Sequence, residues 1–370
     1  MRSRFELGLV IGCLFFAAFV ATCAADGGVP VTITDQAGRT VTVVPDEIER
    51  IISFGSLPST AVIIAIEGSG ERIVGMSDMA MQAIEDGIMG EMYPELLDVQ
   101  SNGSFTQGPA GVNIEEVLRL DPDIVFTKND EDKLKIFDEL GIPAVVVSHG
   151  RDLDTYCTMM TNIGCVLGKD DRAARFVEYY QEMFEELTAI TEDLPDEERT
   201  SVMFIPFAKS LRTVPATVLP AVYIDIAGGF MSTKELTRGG NQAVAMEQVI
   251  KWNPDVVLLG NFEYVNPQDL YDNNLEGQDW TSVKAAQNKR VYLEPLGVYR
   301  WGPPNHEAPL QIMWLGELLH PDLFDYDLRQ EMKDFYKEMY DYDLSEEQID
   351  DILHCDVNSV SAGYEAFCRA

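Results

Sequence analysis

Short apolar runs alternate with amphipathic stretches along most of this chain, and the alternation predicts its architecture. Val31, Thr32, Ile33 and Thr34 alternate in strand fashion, 35–39 turns around Gly38, and 40–44 alternates again, which predicts a short hairpin. From Arg50 onward, short apolar strands are followed by helical stretches. Ile51, Ile52, Ser53 and Phe54 precede a helix over 59–66, and 72–75 is a brief strand. The helical 115–120 leads into Ile124, Val125 and Phe126, and a helix over 134–140 runs into the strand 144–147. Strands alternating with helices predict a parallel sheet with helices on its faces.

The segment 153–194 is helical in pattern throughout, with a break at Gly168, Lys169 and Asp170 and one long amphipathic stretch over 172–194. Pro195, Asp196 and Glu197 end it, and the first pattern then returns with strands at 201–205, 256–259 and 290–293. The expected fold is therefore α/β: two parallel-sheet lobes joined by a single long backbone helix, with a ligand cleft between the lobes. The boundaries read as a signal segment over 1–23, the hairpin over 24–48 and an N-terminal lobe over 49–168. The linking helix covers 169–194, a C-terminal lobe 195–344 and a tail 345–370.

An internal echo supports two equivalent lobes. The stretch 113–125 can be laid over 245–257: each has a short helix, a Pro-Asp stop (Pro122 and Asp123; Pro254 and Asp255) and an apolar strand. Glu115 and Glu247 occupy matching places in the two copies.

Length and charge narrow the function. A chain of 370 residues exceeds the size at which single cores stop growing. Against 27 Lys and Arg stand 62 Asp and Glu, a formal net charge of -35, which repels phosphate backbones and excludes nucleic acid as a partner. Such an excess of acid suits high salt and is common in archaeal or halotolerant surface proteins. At the N-terminus, Arg2 and Arg4 precede an apolar run of about 14 residues, shorter than the ~20 that cross a membrane as a helix. Val20, Ala21, Thr22 and Cys23 resemble a lipobox, with Cys23 as the lipidated first residue of the mature chain. This places the body outside the cell, lipid-anchored at the extracellular face of the cytoplasmic membrane. Cys157 and Cys165, about 12 Å apart on a helix, are beyond disulfide reach and read as buried core residues, whereas Cys355 and Cys368 can close the tail with one bridge.

With its two lobes, linking helix and paired glutamates, the chain resembles the ABC-importer solute-binding proteins for ferric siderophores, haem and cobalamin. The resemblance runs from the hairpin through Arg50, Ile51, Ile52 and Ser53 to the C-terminal helices. It implies a monomeric, non-catalytic protein without a cofactor of its own, which captures a metal chelate and delivers it to an ABC permease and its ATPase subunits. It also implies that Glu115 and Glu247 dock on permease arginines, where two exposed carboxylates on rigid lobes give register more than affinity.

Ligands of open parallel sheets sit beyond the carboxyl ends of the strands. The loops there offer Phe54, Met79, Phe105, Lys128 and Arg151 from the first lobe, and Arg212, Arg238, Tyr264, Tyr299, Arg300 and Trp301 from the second. Four arginines in a chain poor in basic residues point to an anionic ligand, because a guanidinium fork matches carboxylate or phosphate oxygens. Tyr299 and Trp301 are placed to stack on a flat chelate, with Gly302, Pro303 and Pro304 stiffening the loop at the cleft edge. A small oxyanion such as molybdate or tungstate is the alternative cargo. Four histidines in all are too few for a bare-ion site, so no metal ligands are assigned. A secreted α/β hydrolase is the remote alternative: no Gly-x-Ser-x-Gly elbow or His-Glu-x-x-His appears, and adjacent Ser148 and His149 point to opposite faces of a strand.

Overall fold

The structure is a computed structural model that describes residues 28–54, 58–101, 113–148, 150–237 and 239–369. The hairpin pairs β1 (Val31–Thr34) antiparallel with β2 (Thr40–Val43). Asp35 closes its turn by accepting hydrogen bonds from the backbone of Ala37 and Arg39, and its second oxygen accepts from the N–H of Val146, which pins the hairpin to the first lobe.

That lobe is a parallel sheet of β3 (Ile51–Phe54), β4 (Ile73–Met76), β5 (Ile124–Thr127) and β6 (Ala144–Val146), in the order β4-β3-β5-β6. The second lobe contains β7 (Thr200–Ile205), β8 (Arg212–Thr213), β9 (Gly229–Met231), β10 (Gln242–Ala243), β11 (Val256–Leu259) and β12 (Val291–Leu293). Its parallel sheet runs β9-β7-β11-β12, the same topology, with β8 and β10 as a small antiparallel pair beside it. Near-continuous apolar runs such as Val256 to Leu259 are fully buried because helices cover both faces.

The echo in the sequence is an echo in space. Helices Ile114–Leu120 and Met246–Trp252 both end on a left-handed residue, Asp121 and Asn253, each at φ 45° and ψ 61°. The following prolines forbid further helix. Asp123 and Asp255 then fasten the incoming strand: the N–H of each donates to the carbonyl of Arg50 or Ser201 at 2.9 Å, and a carboxylate oxygen of each accepts from the N–H of the same residue.

The linking helix, Asp170–Thr191, spans about 33 Å. Its buried face is Ala173, Phe176, Tyr180, Phe184, Leu187 and Thr191, spaced three and four apart. Tyr180 stacks on Tyr156 of the first lobe and shares a hydrogen bond with the Tyr223 hydroxyl of the second at 2.9 Å. Cys157 and Cys165 are buried thiols outside any disulfide among the described residues, and Cys355 and Cys368 are bridged, with Cα atoms 5.6 Å apart. The segment around that bridge is packed against the second lobe: Asn358 accepts from the N–H of Leu293 and donates to its carbonyl, covering the open edge of β12.

Tyr299, Arg300 and Trp301 are buried, so the stacking platform expected of Tyr299 and Trp301 does not exist. The chain folds under here, and Trp301 donates to the buried Glu307, which also accepts from the Tyr336 hydroxyl at 2.5 Å and the N–H of Tyr299. Burial pushes the Glu307 carboxyl up from its ordinary 4.5 to about 7, overriding those hydrogen bonds. The folded protein therefore keeps a proton that the unfolded chain releases as pH rises from 4.5 to 7, and this part of its stability is lost across that window. Glu307→Gln should lose less stability than the parent between pH 5 and pH 8, by up to about 3 kcal/mol in denaturant titrations; parallel pH profiles would refute the assignment.

Candidate ligand cleft between the lobes

Between the carboxyl ends of the two sheets lies a cavity of about 330 Å³. Pro58, Gly150 and Arg151 form its first-lobe wall. The opposite wall is Phe204 and Pro206 at the end of β7, Val214, Val218 and Leu219 beyond β8, Gly240 and Asn241, Phe262 after β11, and the rim Pro303 and Pro304. A wider groove of about 610 Å³ runs between the hairpin and the first lobe past Asp121 and Asp123, but it lies at the amino ends of the strands. Carboxyl ends are where loops diverge enough to enclose a ligand.

Arg151 is the one charged group among the described lining residues. It is exposed, and its guanidinium reaches across to the second lobe, where a Cβ placed on Gly239 would stand 3.0 Å from it. Gly239 therefore leaves room for the arginine. Gly150 just before it sits at φ +64°, where a side chain would also strike Thr155. The polar end of the cleft is thus a guanidinium between two loops of bare backbone.

The other expected ligand residues are scattered. Arg212 lies on β8 and donates to the carbonyl of Asn241 at 2.8 Å, so it braces a cleft residue from behind. Phe54 stacks on Phe137, ring centroids 6.4 Å apart, on the face of the first sheet that carries helix Glu131–Leu140. Lys128 is exposed at the end of β5 and is not among the lining residues. Tyr264 is 80% exposed and edges a separate surface pocket with Asn261 and His354. Met79 contributes its carbonyl to Arg300 rather than its side chain to the cleft. Arg300 itself has no exposed surface and is not among the residues that line the cavity. Phe105, Arg238 and Cys23 lie outside the described residues.

Sequence reasoning missed the apolar wall of Phe204, Phe262, Val214 and Leu219, because apolar residues at strand ends look like ordinary core. The prolines were the available signal: Pro206, Pro303 and Pro304 each stiffen a strand-end turn. Charge beneath the rim is muted. Glu294, at the end of β12, is buried, and burial holds its carboxyl well above the usual carboxylate range. His306 is pushed down to about 3 by burial, and its Nε2 meets the Tyr340 hydroxyl at 2.6 Å.

Glu115 and Glu247 are each the second residue of their helix, and both are exposed. Neither forms an ion pair among the described residues. No described helix is long and apolar enough to cross a membrane.

Comparison with known proteins agrees with this geometry. The periplasmic binding protein family model matches residues 93–295. A periplasmic solute binding protein from Veillonella parvula is 34% identical, with a TM-score of 0.79 over 90% of this chain and 99% of that one. The molybdate-binding protein MolA of Haemophilus influenzae is 28% identical over 336 residues, covering 83% of this chain and 90% of its own. Its molybdate-bound structure superposes with a TM-score of 0.73 over 85% of this chain and 99% of that one. With two like-folded lobes, a helix spanning them and a cleft at the strand ends, the chain belongs to the periplasmic binding protein family, as an extracytoplasmic solute-binding component of an ABC importer that does no catalysis.

Proposed function

We propose that this protein carries a small tetrahedral oxyanion of the molybdate or tungstate type to an ABC permease. The observation that carries the reading is Arg151, a lone guanidinium between the backbones of Gly150 and Gly239–Gly240 in a cavity of about 330 Å³. An oxyanion needs donors converging on a small volume, and the guanidinium fork of Arg151 supplies several from one side chain. At about 330 Å³ the cavity lies at the low end of small-molecule sites, which run from about 300 to 1,000 Å³, and this speaks against a corrinoid or haem. The molybdate-bound relative supports the same choice. A compact metal chelate is the second reading, favoured by the Phe204 and Phe262 rings on the wall. The burial of Tyr299 and Trp301 removes the platform that a large flat chelate would use.

Thermal denaturation with added molybdate, tungstate, sulfate and a ferric siderophore separates the readings. Molybdate at 100 times its Kd should stabilise by about 2.7 kcal/mol, and Arg151→Ala should weaken it by about 10- to 100-fold. A shift with the siderophore alone would replace the oxyanion by the chelate.

Glu115 and Glu247, held alike on matching helices, are the docking points for the permease, where salt-dependent pairing with arginines fixes orientation. Changing both to Lys should abolish uptake in cells while calorimetry finds ligand affinity unchanged; normal uptake would move the interface elsewhere. Lipidation at Cys23 holds the protein beside that permease. Cys23→Ser should release it into the medium, and continued membrane association would leave the anchor to the apolar leader itself.

A further inference from the structure

Arg300 is a fully buried cation of the second lobe that lies behind the cleft. Among the described residues no carboxylate pairs with it; its donors go to three neutral acceptors, each at 3.1 Å. Nε donates to the carbonyl of Asn261, in the loop after β11. Nη1 donates to the carbonyl of Met79 and Nη2 to Oε1 of Gln82, both on helix Asp78–Asp86 of the other lobe. The guanidinium lies 4.7 Å from the centroid of the Phe262 ring, and Phe262 lines the cleft. One side chain therefore grips both lobes directly behind the ligand cavity.

Its surroundings transmit that grip to the rim. Asn305 donates to the carbonyls of Trp301 and Pro303, fixing the turn that follows Arg300. Gly302 lies so close to Glu294 and Phe204 that no side chain fits there, so this stretch cannot slide. Pro303 and Pro304 are thus held between a tie to the first lobe and a knot within the second. The lobes also touch where the N–H of Ile88 donates to the carbonyl of Gly297, at 3.3 Å. A buried, unneutralised arginine is costly to keep, so its retention asks for a role beyond packing.

We propose that Arg300 is a positioning residue for ligand binding: it touches no ligand, but by tying helix Asp78–Asp86 to the loop after β11 it sets the width of the cleft. This rests on the cleft being the ligand site. Gln82 is the informative partner, since it is half-buried, lies on the opposite lobe and is not among the cleft-lining residues.

Nitroxide labels at Lys135→Cys and Glu276→Cys, exposed positions on the two lobes, report the gap by pulsed electron spin resonance. The parent should give one narrow distance distribution. Gln82→Leu, Arg300→Met and Arg300→Lys should each broaden it, because lysine keeps the charge but cannot reach three acceptors. With molybdate as the probe, Gln82→Leu should raise Kd about 5-fold and Arg300→Met about 10- to 100-fold, and the double variant should bind no worse than Arg300→Met alone. An unchanged distribution in Gln82→Leu, or independent multiplying effects of the two substitutions on Kd, overturns the tie. Should Arg300→Met fail to fold, Gln82→Leu decides alone. If the parent binds no molybdate, the oxyanion reading fails, while the label distances still judge the tie.

Discussion

The apolar face of helix Asp170–Thr191 is buried against both lobes at once, and the rest of the structure depends on that shared burial. Phe176 meets His306 of the second lobe, Tyr180 meets Tyr156 of the first, and Thr191 donates to the carbonyl of Ile226 at 2.7 Å. The apolar buried residues of the helix share one continuous core with residues of both lobes. Swinging one lobe away would pull these rings out of that core, at roughly 25 cal/mol for each Å² of apolar surface returned to water. The cleft is therefore a standing feature of the fold, and a ligand enters a gap whose walls are already in place.

Two lobes with one topology inherit the same local solutions. A helix stopped by a left-handed residue and a proline, followed by an aspartate that clamps the next strand, appears once in each lobe with equal backbone angles. The repeat is a packing device first. It also places Glu115 and Glu247 at equivalent points on two bodies whose separation is fixed by the linking helix, so a surface contact made by one lobe is matched by the other. A rigid pair of points defines an orientation, which a flexible pair cannot.

How much of this was legible followed from how local each feature is. The hairpin, the alternation of strand and helix, the long helix and the Pro-Asp repeat rest on neighbours within a few residues, and their periodicity appears in the sequence directly. The role of Tyr299 and Trp301 was not legible, since it depends on Glu307 and Tyr336 arriving from later in the chain to bury a stretch that reads as a surface loop. Arg300 was expected at the ligand, yet its two partners on the other lobe are 218 and 221 residues away, which spacing cannot reveal. Phe204 and Phe262 were invisible for the opposite reason: they look like the core they adjoin. Arg151 was named with the other strand-end basic residues from its place after β6, and the structure sets it on the cavity wall.

Charge brings these strands together. A protein with a formal net charge of -35 surrounds itself with a field that repels anions, so the oxyanion proposed as its cargo would need a local reversal of sign. The cleft supplies one with very few groups. Arg151 faces the cavity, and Arg300 lies behind Phe262 with no carboxylate paired to it among the described residues. Glu294, whose carboxylate stands against Gly302 beneath the rim, is held toward its neutral form by burial. In water such a pair of cations would be screened within about 8 to 10 Å, but one of them is buried and partly escapes that screening. The same burial that makes Arg300 a tie between lobes thus makes it, with Arg151, a source of positive potential at the cleft.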